Sequence, residues 1–192
     1  ASTSLETDSA MPSTRGRGAN GEAAMTEPVL VVEGLNVGFP SKTGVVQAVS
    51  DVSFELHPGE VLAVVGESGS GKSVTALTLM RLHAKSTRIS GRAVFEGRDL
   101  LTLSDRDMRS VRGNDIAMIF QDPMTALNPV FSVGSQIIEA FRTHRDVSKQ
   151  AARARAIELL DLVGVPEPRR RVDQFPHEYS GGMRQRAMIA MA

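Results

Sequence analysis

A glycine-rich loop between an apolar run and a helical pattern constrains this 192-residue chain more than any other feature. Residues 66–73 match G-x-x-x-x-G-K-[ST], and the apolar residues 61–65 before them predict a buried parallel strand. Residues 74–82, after the loop, contain neither Gly nor Pro and have apolar side chains at helical spacing. Strand, loop and helix therefore occur in the order that a phosphate-binding loop requires.

Each residue type in this loop has a chemical reason. Glycines let the backbone turn its N–H groups inward, and the following helix directs further N–H groups and its positive dipole end at the anion. We expect Lys72 to reach the β- and γ-phosphates of ATP and the Ser73 hydroxyl to bind Mg²⁺. The predicted nucleotide contacts come from Gly66, Glu67, Ser68, Gly69, Ser70, Gly71, Lys72, Ser73 and Thr75.

Composition excludes several classes of function. Lys+Arg and Asp+Glu balance at 22 each, so no overall charge indicates nucleic acid as a partner. The absence of cysteine excludes disulfides, thiolate metal sites and iron–sulfur ligation in this chain. No apolar run approaches the roughly 20 residues of a membrane-spanning helix.

The first part of the chain changes character near residue 28. Residues 1–27 are rich in Ser, Thr, Gly and Ala and predict a disordered tail. Residues 29–33 and 45–56 predict two antiparallel strands that lead into the loop strand, and residues 91–97 predict a third strand between glycine turns. Ser104, followed by Asp107, predicts the start of a helix.

Residues 116–120 form a second continuous apolar run, which predicts another buried strand, with Gln121 at its end. Two such strands joined through helical segments imply an α/β sheet whose ligand crevice lies at the carboxyl ends of the strands. This places Gln121 near the phosphates, where its amide could join the Mg²⁺ shell or orient a water. The alternative is a glutamine that merely ends a strand.

The remaining residues predict helices. Two span 132–145 and 148–163, and the second stops at Gly164. An excess of basic side chains in 142–171 fits either a solvated helix face or a surface for a partner or anionic lipid. Ser180, Gly181 and Gly182 precede a last helical segment, a second place where N–H groups could meet an anion, although Ser-Gly-Gly is a common loop sequence.

Together these residues resemble the nucleotide-binding subunit of an ATP-binding cassette (ABC) transporter. Ser180, Gly181, Gly182 and Met183 resemble its signature motif, and Gln121 resembles its Q-loop glutamine. Three segments are similar in sequence to the ATPase subunits of importers of dipeptides, oligopeptides and nickel: VGESGSGKS, IFQDPMTALNP and FPHEYSGGMRQRAMIAMA. The resemblance extends over residues 29–192. The implied fold is α/β, a P-loop NTPase of ABC type with a parallel core sheet, an antiparallel β subdomain and an inserted helical subdomain (about 122–178) within 28–192.

The resemblance also implies partners. Two cassettes face each other head to tail, so Ser180 and Gly182 would contact the γ-phosphate of ATP bound by a second ATPase subunit, identical or different. Lys72 and Gln121 are the implied catalytic residues, and Gln121 would connect to transmembrane permease subunits that hold the protein at the cytoplasmic face of the membrane. Phe39 falls near the family's base-stacking aromatic, but a core role is at least as good an interpretation.

The chain departs from the family pattern after Ser180. An apolar strand ending in Asp-Glu (the Walker B strand) and a switch histidine should follow, and neither does. We therefore interpret the chain as an N-terminal fragment and predict that it hydrolyses no ATP alone unless Glu67 or Asp122 serves as the base. The alternatives to an importer ATPase are a non-transport cassette ATPase and a nucleotide-binding fragment without turnover.

Overall fold

The computed structural model describes residues 27–121 and 126–192. The chain divides into two compact units, Ala1–Leu103 and Ser104–Ala192, and each is described by itself. Residues 1–26 of the predicted tail, and Asp122, lie outside the described residues.

A four-stranded antiparallel sheet forms the centre of the N-terminal unit, in the order β2-β1-β3-β4. Its strands are β1 (Leu30–Ser41), β2 (Gly44–Leu56), β3 (Arg88–Phe95) and β4 (Arg98–Asp99). The three strands predicted from β-rich runs and flanking turn residues are thereby confirmed. The two-residue β4, which pairs with the end of β3, was not predicted.

A bulge in β1 changes which residues face the core. Leu30 and Val32 are buried, and after one extra residue Leu35 and Val37 are buried too. Gly34, at a φ of 55°, makes the irregularity possible. A Cβ on Gly91 of β3 would lie only 2.5 Å from the Gly34 carbonyl oxygen, so the two strands approach closely at this pair of glycines.

The two predicted buried strands are not strands in this structure, so these predictions are wrong. Residues 61–65 form no ladder, and the side chains of Val61 and Val65 are 91% and 81% exposed. Residues 116–120 form only one parallel bridge, between Ile116 and Arg112, and Phe120 is exposed. An interior strand needs hydrogen-bonded neighbours along its length and cover on both faces, and among the described residues these segments have at most the one bridge at Ile116.

Helix α1 (Lys72–Leu79) follows the glycine-rich loop directly and contacts β1 and β2. Thr78 is its buried polar residue, and the Thr78 hydroxyl donates a hydrogen bond to the Val74 carbonyl at 2.7 Å. The predicted helix after the loop is confirmed, with its first turn inside the motif itself.

The described part of the C-terminal unit is built from helices. They are α2 (Asp105–Val111), α3 (Val133–His144), α4 (Lys149–Leu162), α5 (Pro168–Arg171), a 3-10 turn (Pro176–Glu178) and α6 (Gly181–Met191). This confirms the helix predicted to start at Ser104 and the two predicted at 132–145 and 148–163. Within the described ranges, no helix is long and apolar enough to cross a membrane.

Serine side chains cap the starts of α2, α3, α4 and α6. The hydroxyls of Ser104, Ser132, Ser148 and Ser180 each accept a hydrogen bond from the backbone N–H three residues later, at 3.1–3.3 Å. Helices α3, α4 and α6 then pack around one buried cluster, whose members include Val133, Ile137, Leu160, Val172, Tyr179 and Met188.

The start of α3 docks on the backbone of residues 172–174. The amide of Val133 donates to the Gln174 carbonyl at 2.9 Å, and the amide of Gly134 donates to the Val172 carbonyl at 2.8 Å. A Cβ on Gly134 would lie 2.3 Å from that Val172 oxygen, so only glycine permits this approach.

We expect Gly134→Ala to lower the free energy of unfolding by about 1–3 kcal/mol, because the added methyl group overlaps backbone that cannot move aside cheaply. Gly182→Ala is the matched control: Gly182 is also the second residue of its helix, and a Cβ there meets nothing within 4 Å. Urea denaturation followed by circular dichroism compares the two variants. Equal stability would contradict the close packing of α3 on residues 172–174.

Candidate functional site

The glycine-rich loop is an exposed turn whose last two glycines, Gly69 and Gly71, have a backbone conformation that favours glycine. The Ser70 amide donates to the Glu67 carbonyl at 3.2 Å, and residues 66–70 are exposed. Gly69 and Gly71 have φ angles of 85° and 93°, which L side chains rarely adopt. The glycines at these two positions are therefore required by the backbone itself.

Gly71 also brings the loop against the sheet. It is buried, and a Cβ there would lie 2.6 Å from the Ala48 carbonyl oxygen of β2. The backbone of the loop thus touches the backbone of a strand with no side chain between them. This contact fixes the first residue of α1 relative to the sheet.

The Lys72 ammonium curls back over the loop. Its Nζ donates to the carbonyl oxygens of Gly66 and Glu67, both at 2.7 Å, and to the Ser70 hydroxyl at 3.2 Å. These three contacts hold a positive charge at the loop. An anion that entered here would meet a cation already in place.

The first turn of α1 is open to an anion. No side chain caps the helix at Gly71, and no acidic residue lies in its first turn. A phosphate would therefore meet the positive end of the helix dipole without competition from a carboxylate there. The Thr75 hydroxyl is directed elsewhere, since it donates to the Gly71 carbonyl at 3.1 Å.

The residues at this helix start also suit Mg²⁺. Ser73 is exposed in the first turn, and its hydroxyl together with phosphate oxygens would supply the hard oxygen ligands that Mg²⁺ prefers. In the described segments no cluster of three or more His, Asp or Glu side chains could hold a metal instead.

A second anion-compatible helix start lies in the C-terminal unit. Ser180 caps α6 through the Met183 amide at 3.3 Å, and the space beside Gly181 and Gly182 is open. Ser180 and both glycines are exposed, and Met183 is half-buried. The predicted placement of Ser-Gly-Gly before a helix is confirmed, and no Cβ shields the backbone at its first two positions.

The predicted site residues fall in both units. The structure brings together residues 66–73 in the N-terminal unit, whereas Gln121 and residues 180–183 belong to the C-terminal unit. Gln121 is exposed at the end of the irregular segment 117–120. Its proximity to the phosphates stays a prediction.

Phe39 packs on a histidine that the sequence did not single out. The two rings meet edge to face, with 5.3 Å between the centroids of Phe39 and His83. The His83 Nε2 lies 3.1 Å from the Val74 carbonyl and 3.0 Å from the Thr78 hydroxyl of α1. Half-buried against this group, Phe39 fits the core role better than a free platform for a base.

Tyr179, next to Ser180, is a further residue that the sequence did not single out. Its side chain is 2% exposed, and its hydroxyl donates to the Arg171 carbonyl at 2.8 Å. Its own carbonyl accepts from the Arg184 Nε at 3.0 Å. Burial raises the pKa of the Tyr179 hydroxyl to about 12, with a further upward contribution from Glu178 and an opposing one from Arg171.

A protein-family model matches the part of the chain that contains the glycine-rich loop and the capping residue Ser180. The family model described as "ABC transporter" matches residues 49–192, which include both features. The chain belongs to the ABC transporter family. The predicted family resemblance is thus confirmed.

Two relatives of this ABC chain are peptide transport proteins of Bacillus subtilis (strain 168). The "Oligopeptide transport ATP-binding protein OppD" is 54% identical over 166 residues, which cover 85% of this chain and 46% of that protein. The "Dipeptide transport ATP-binding protein DppD" is 54% identical over 170 residues, which cover 86% of this chain and 50% of that protein. The chain spans about half the length of these curated relatives.

Solved ABC structures share the fold. One, titled "Dimeric Structure of MJ0796, a Bacterial ABC Transporter Cassette", superposes with a TM-score of 0.74 at 22% identity and covers 84% of this chain and 68% of that one. The likeness confirms the predicted P-loop NTPase fold of ABC type.

The burial of Tyr179 leads to a pH dependence that absorbance can measure. The pKa rises from 10.0 to about 12 on folding, so the stabilisation by the neutral hydroxyl is complete below pH 10 and is lost as the pH rises from 10 towards 12. Over that interval the free energy of unfolding should fall by up to about 1.4 kcal/mol per pH unit.

The chain holds one tyrosine and no tryptophan, so tyrosinate absorbance reports Tyr179 alone. We expect the midpoint in the native chain to lie well above the midpoint in urea. Coincident midpoints would contradict the burial of this hydroxyl.

Proposed function

We propose that this chain is the nucleotide-binding part of a subunit that hydrolyses ATP to energise an ABC importer of peptides or similar small solutes. The observation that carries the proposal is the Lys72 ammonium held at an open, uncapped helix start. Relatives at 54% identity bear the names of oligopeptide and dipeptide transport ATP-binding proteins, which supports the importer over a non-transport cassette ATPase.

ATP binds with its phosphates against the loop. The β- and γ-phosphate oxygens take over the Lys72 hydrogen bonds now made to the carbonyls of Gly66 and Glu67, and backbone amides at the start of α1 donate to the same oxygens. Ser73 would provide an oxygen ligand to the accompanying Mg²⁺, and Gln121 would either join the same Mg²⁺ shell or orient the attacking water. Lys72 and Gln121 are the catalytic residues in this proposal.

The signature residues 180–183 act on a nucleotide that a second ATPase subunit binds. The exposed Ser180 hydroxyl, the α6 amides and the open space at Gly181 and Gly182 suit an anion that approaches from outside the chain. The dimeric form of the cassette named above supports this arrangement. The second subunit is either a copy of this one or a different ATPase.

Transmembrane permease subunits complete the assembly and hold the ATPase at the cytoplasmic face of the membrane. Turnover needs a general base for the attacking water, which typically contributes 10²–10⁴-fold. No Asp or Glu follows Ser180 in this sequence. Because the chain spans only about half the length of the curated relatives named above, we propose that hydrolysis belongs to the complete subunit and that these 192 residues bind ATP without turnover.

Ser180→Arg in the complete subunit tests the action in trans. We expect the monomer to bind ATP with unchanged affinity, while ATP-driven dimerisation and phosphate release are lost, because bulk and charge then occupy the dimer interface. Equilibrium binding of a fluorescent ATP analogue, light scattering and a phosphate-release assay measure the three quantities.

Ser148→Arg is the matched control. Ser148 is an exposed N-cap serine with the same hydrogen bond, to the Ala151 amide at 3.1 Å, so this variant loses an equivalent cap worth about 0.5–2 kcal/mol. It should keep dimerisation and phosphate release. Equal losses in both variants, or weaker ATP binding by the Ser180→Arg monomer, would contradict the proposal.

A further inference from the structure

We propose that Tyr179 is a positioning residue: its buried hydroxyl fixes the backbone that carries Ser180 and the first amides of α6. This inference rests on the proposed function of the Ser180 motif and adds to it a residue that never touches the nucleotide.

The hydroxyl of Tyr179 reaches inward, away from the exposed motif. It donates to the Arg171 carbonyl at 2.8 Å, across eight residues, and the ring belongs to the same buried cluster as Val172 and Met188. A side chain that is 2% exposed has no access to a phosphate at the start of α6. Any effect of Tyr179 on the nucleotide must therefore pass through the backbone.

The backbone of Tyr179 is held as firmly as its side chain. Its amide donates to the Pro176 carbonyl at 3.2 Å, and its carbonyl accepts from the Arg184 Nε at 3.0 Å. This carbonyl belongs to the peptide group whose N–H is that of Ser180. The orientation of the Ser180 peptide thus follows directly from where Tyr179 is anchored.

The Arg171 carbonyl, which accepts the hydrogen bond of the tyrosine hydroxyl, lies next to a backbone segment that is hydrogen-bonded to the start of α3. Arg171 ends α5, and the next residues, 172–174, accept the amides of Val133 and Gly134 at the start of α3. The Glu178 carboxylate accepts the Phe175 amide at 2.7 Å and closes the turn between this segment and Tyr179. The hydroxyl thereby ties the Ser180 peptide to a backbone braced by α3.

Tyr179→Phe removes the hydroxyl and keeps the ring, so the variant separates positioning from packing. In the complete subunit with its partner, we expect the ATP concentration for half-maximal dimerisation to rise about 2- to 10-fold and kcat to fall by a similar factor, as for one lost hydrogen bond. The affinity of the monomer for ATP should stay unchanged.

Ile138→Val is the control for general destabilisation. Ile138 lies on α3, partly buried against the same cluster, and its change to Val removes one methyl-sized group while the Tyr179 hydroxyl and its acceptor are kept. It should lower the melting temperature and leave dimerisation and kcat unchanged. If Tyr179→Phe behaves as Ile138→Val does, or if it weakens ATP binding by the monomer, the positioning role is overturned.

Ser180→Ala in the same assays separates the failure of this inference from the failure of the proposed function. If Ser180→Ala impairs dimerisation and Tyr179→Phe does not, only the positioning role is wrong. If Ser180→Ala has no effect, the proposed action in trans is wrong, and the inference falls with it.

Discussion

The contact between Gly71 and β2 is the constraint on which the candidate phosphate site depends. A Cβ would lie 2.6 Å from the Ala48 carbonyl, and the φ of 93° suits glycine, so steric space and backbone conformation both demand this residue. Because α1 begins at the next residue, its open N-terminus and the Lys72 ammonium are placed at the same point of the loop. The charge, the dipole and the exposed amides are thus organised by one backbone contact against the antiparallel sheet.

In the C-terminal unit, a serine cap rather than a glycine contact with a strand defines the open helix start. Serine hydroxyls define where α2, α3, α4 and α6 begin, and only at α6 do two exposed glycines follow the cap. The helix start at Ser180 is therefore open where the others carry side chains at their first position. Tyr179 and the braced segment 172–174 hold this open start in place from the buried side.

Local sequence patterns predicted the features that depend on local physics. The antiparallel strands follow from β-rich runs and turn residues, the helix start at Ser104 follows from its capping serine, and the loop follows from its glycine and lysine spacing. Residues 61–65 and 116–120 show the limit of such patterns. An apolar run indicates that a segment is stable as a strand only when it is buried. The strands that would bury it lie elsewhere in the sequence, so the run itself does not reveal them. In this structure both segments have exposed apolar side chains.

Three features could not be predicted because each depends on how the elements pack in three dimensions. The His83 ring meets Phe39 and two groups of α1, the Tyr179 hydroxyl meets the Arg171 carbonyl, and Gly134 meets Val172. None of these partners lies in a recognisable spacing. A buried tyrosine beside the Ser-Gly-Gly motif was a usable signal, since a buried phenol almost always requires a hydrogen-bond partner.

The most direct test of the central claim is the affinity of the complete subunit for Mg-ATP when Lys72 is changed. A charge-assisted hydrogen bond contributes about 1.5–3 kcal/mol, so Lys72→Ala should weaken binding roughly 10- to 150-fold in isothermal titration calorimetry. Lys85→Ala, which removes an exposed lysine beyond the end of α1, should bind as the unchanged protein does. A dissociation constant that Lys72→Ala leaves unaltered would show that this loop is not where the phosphates bind.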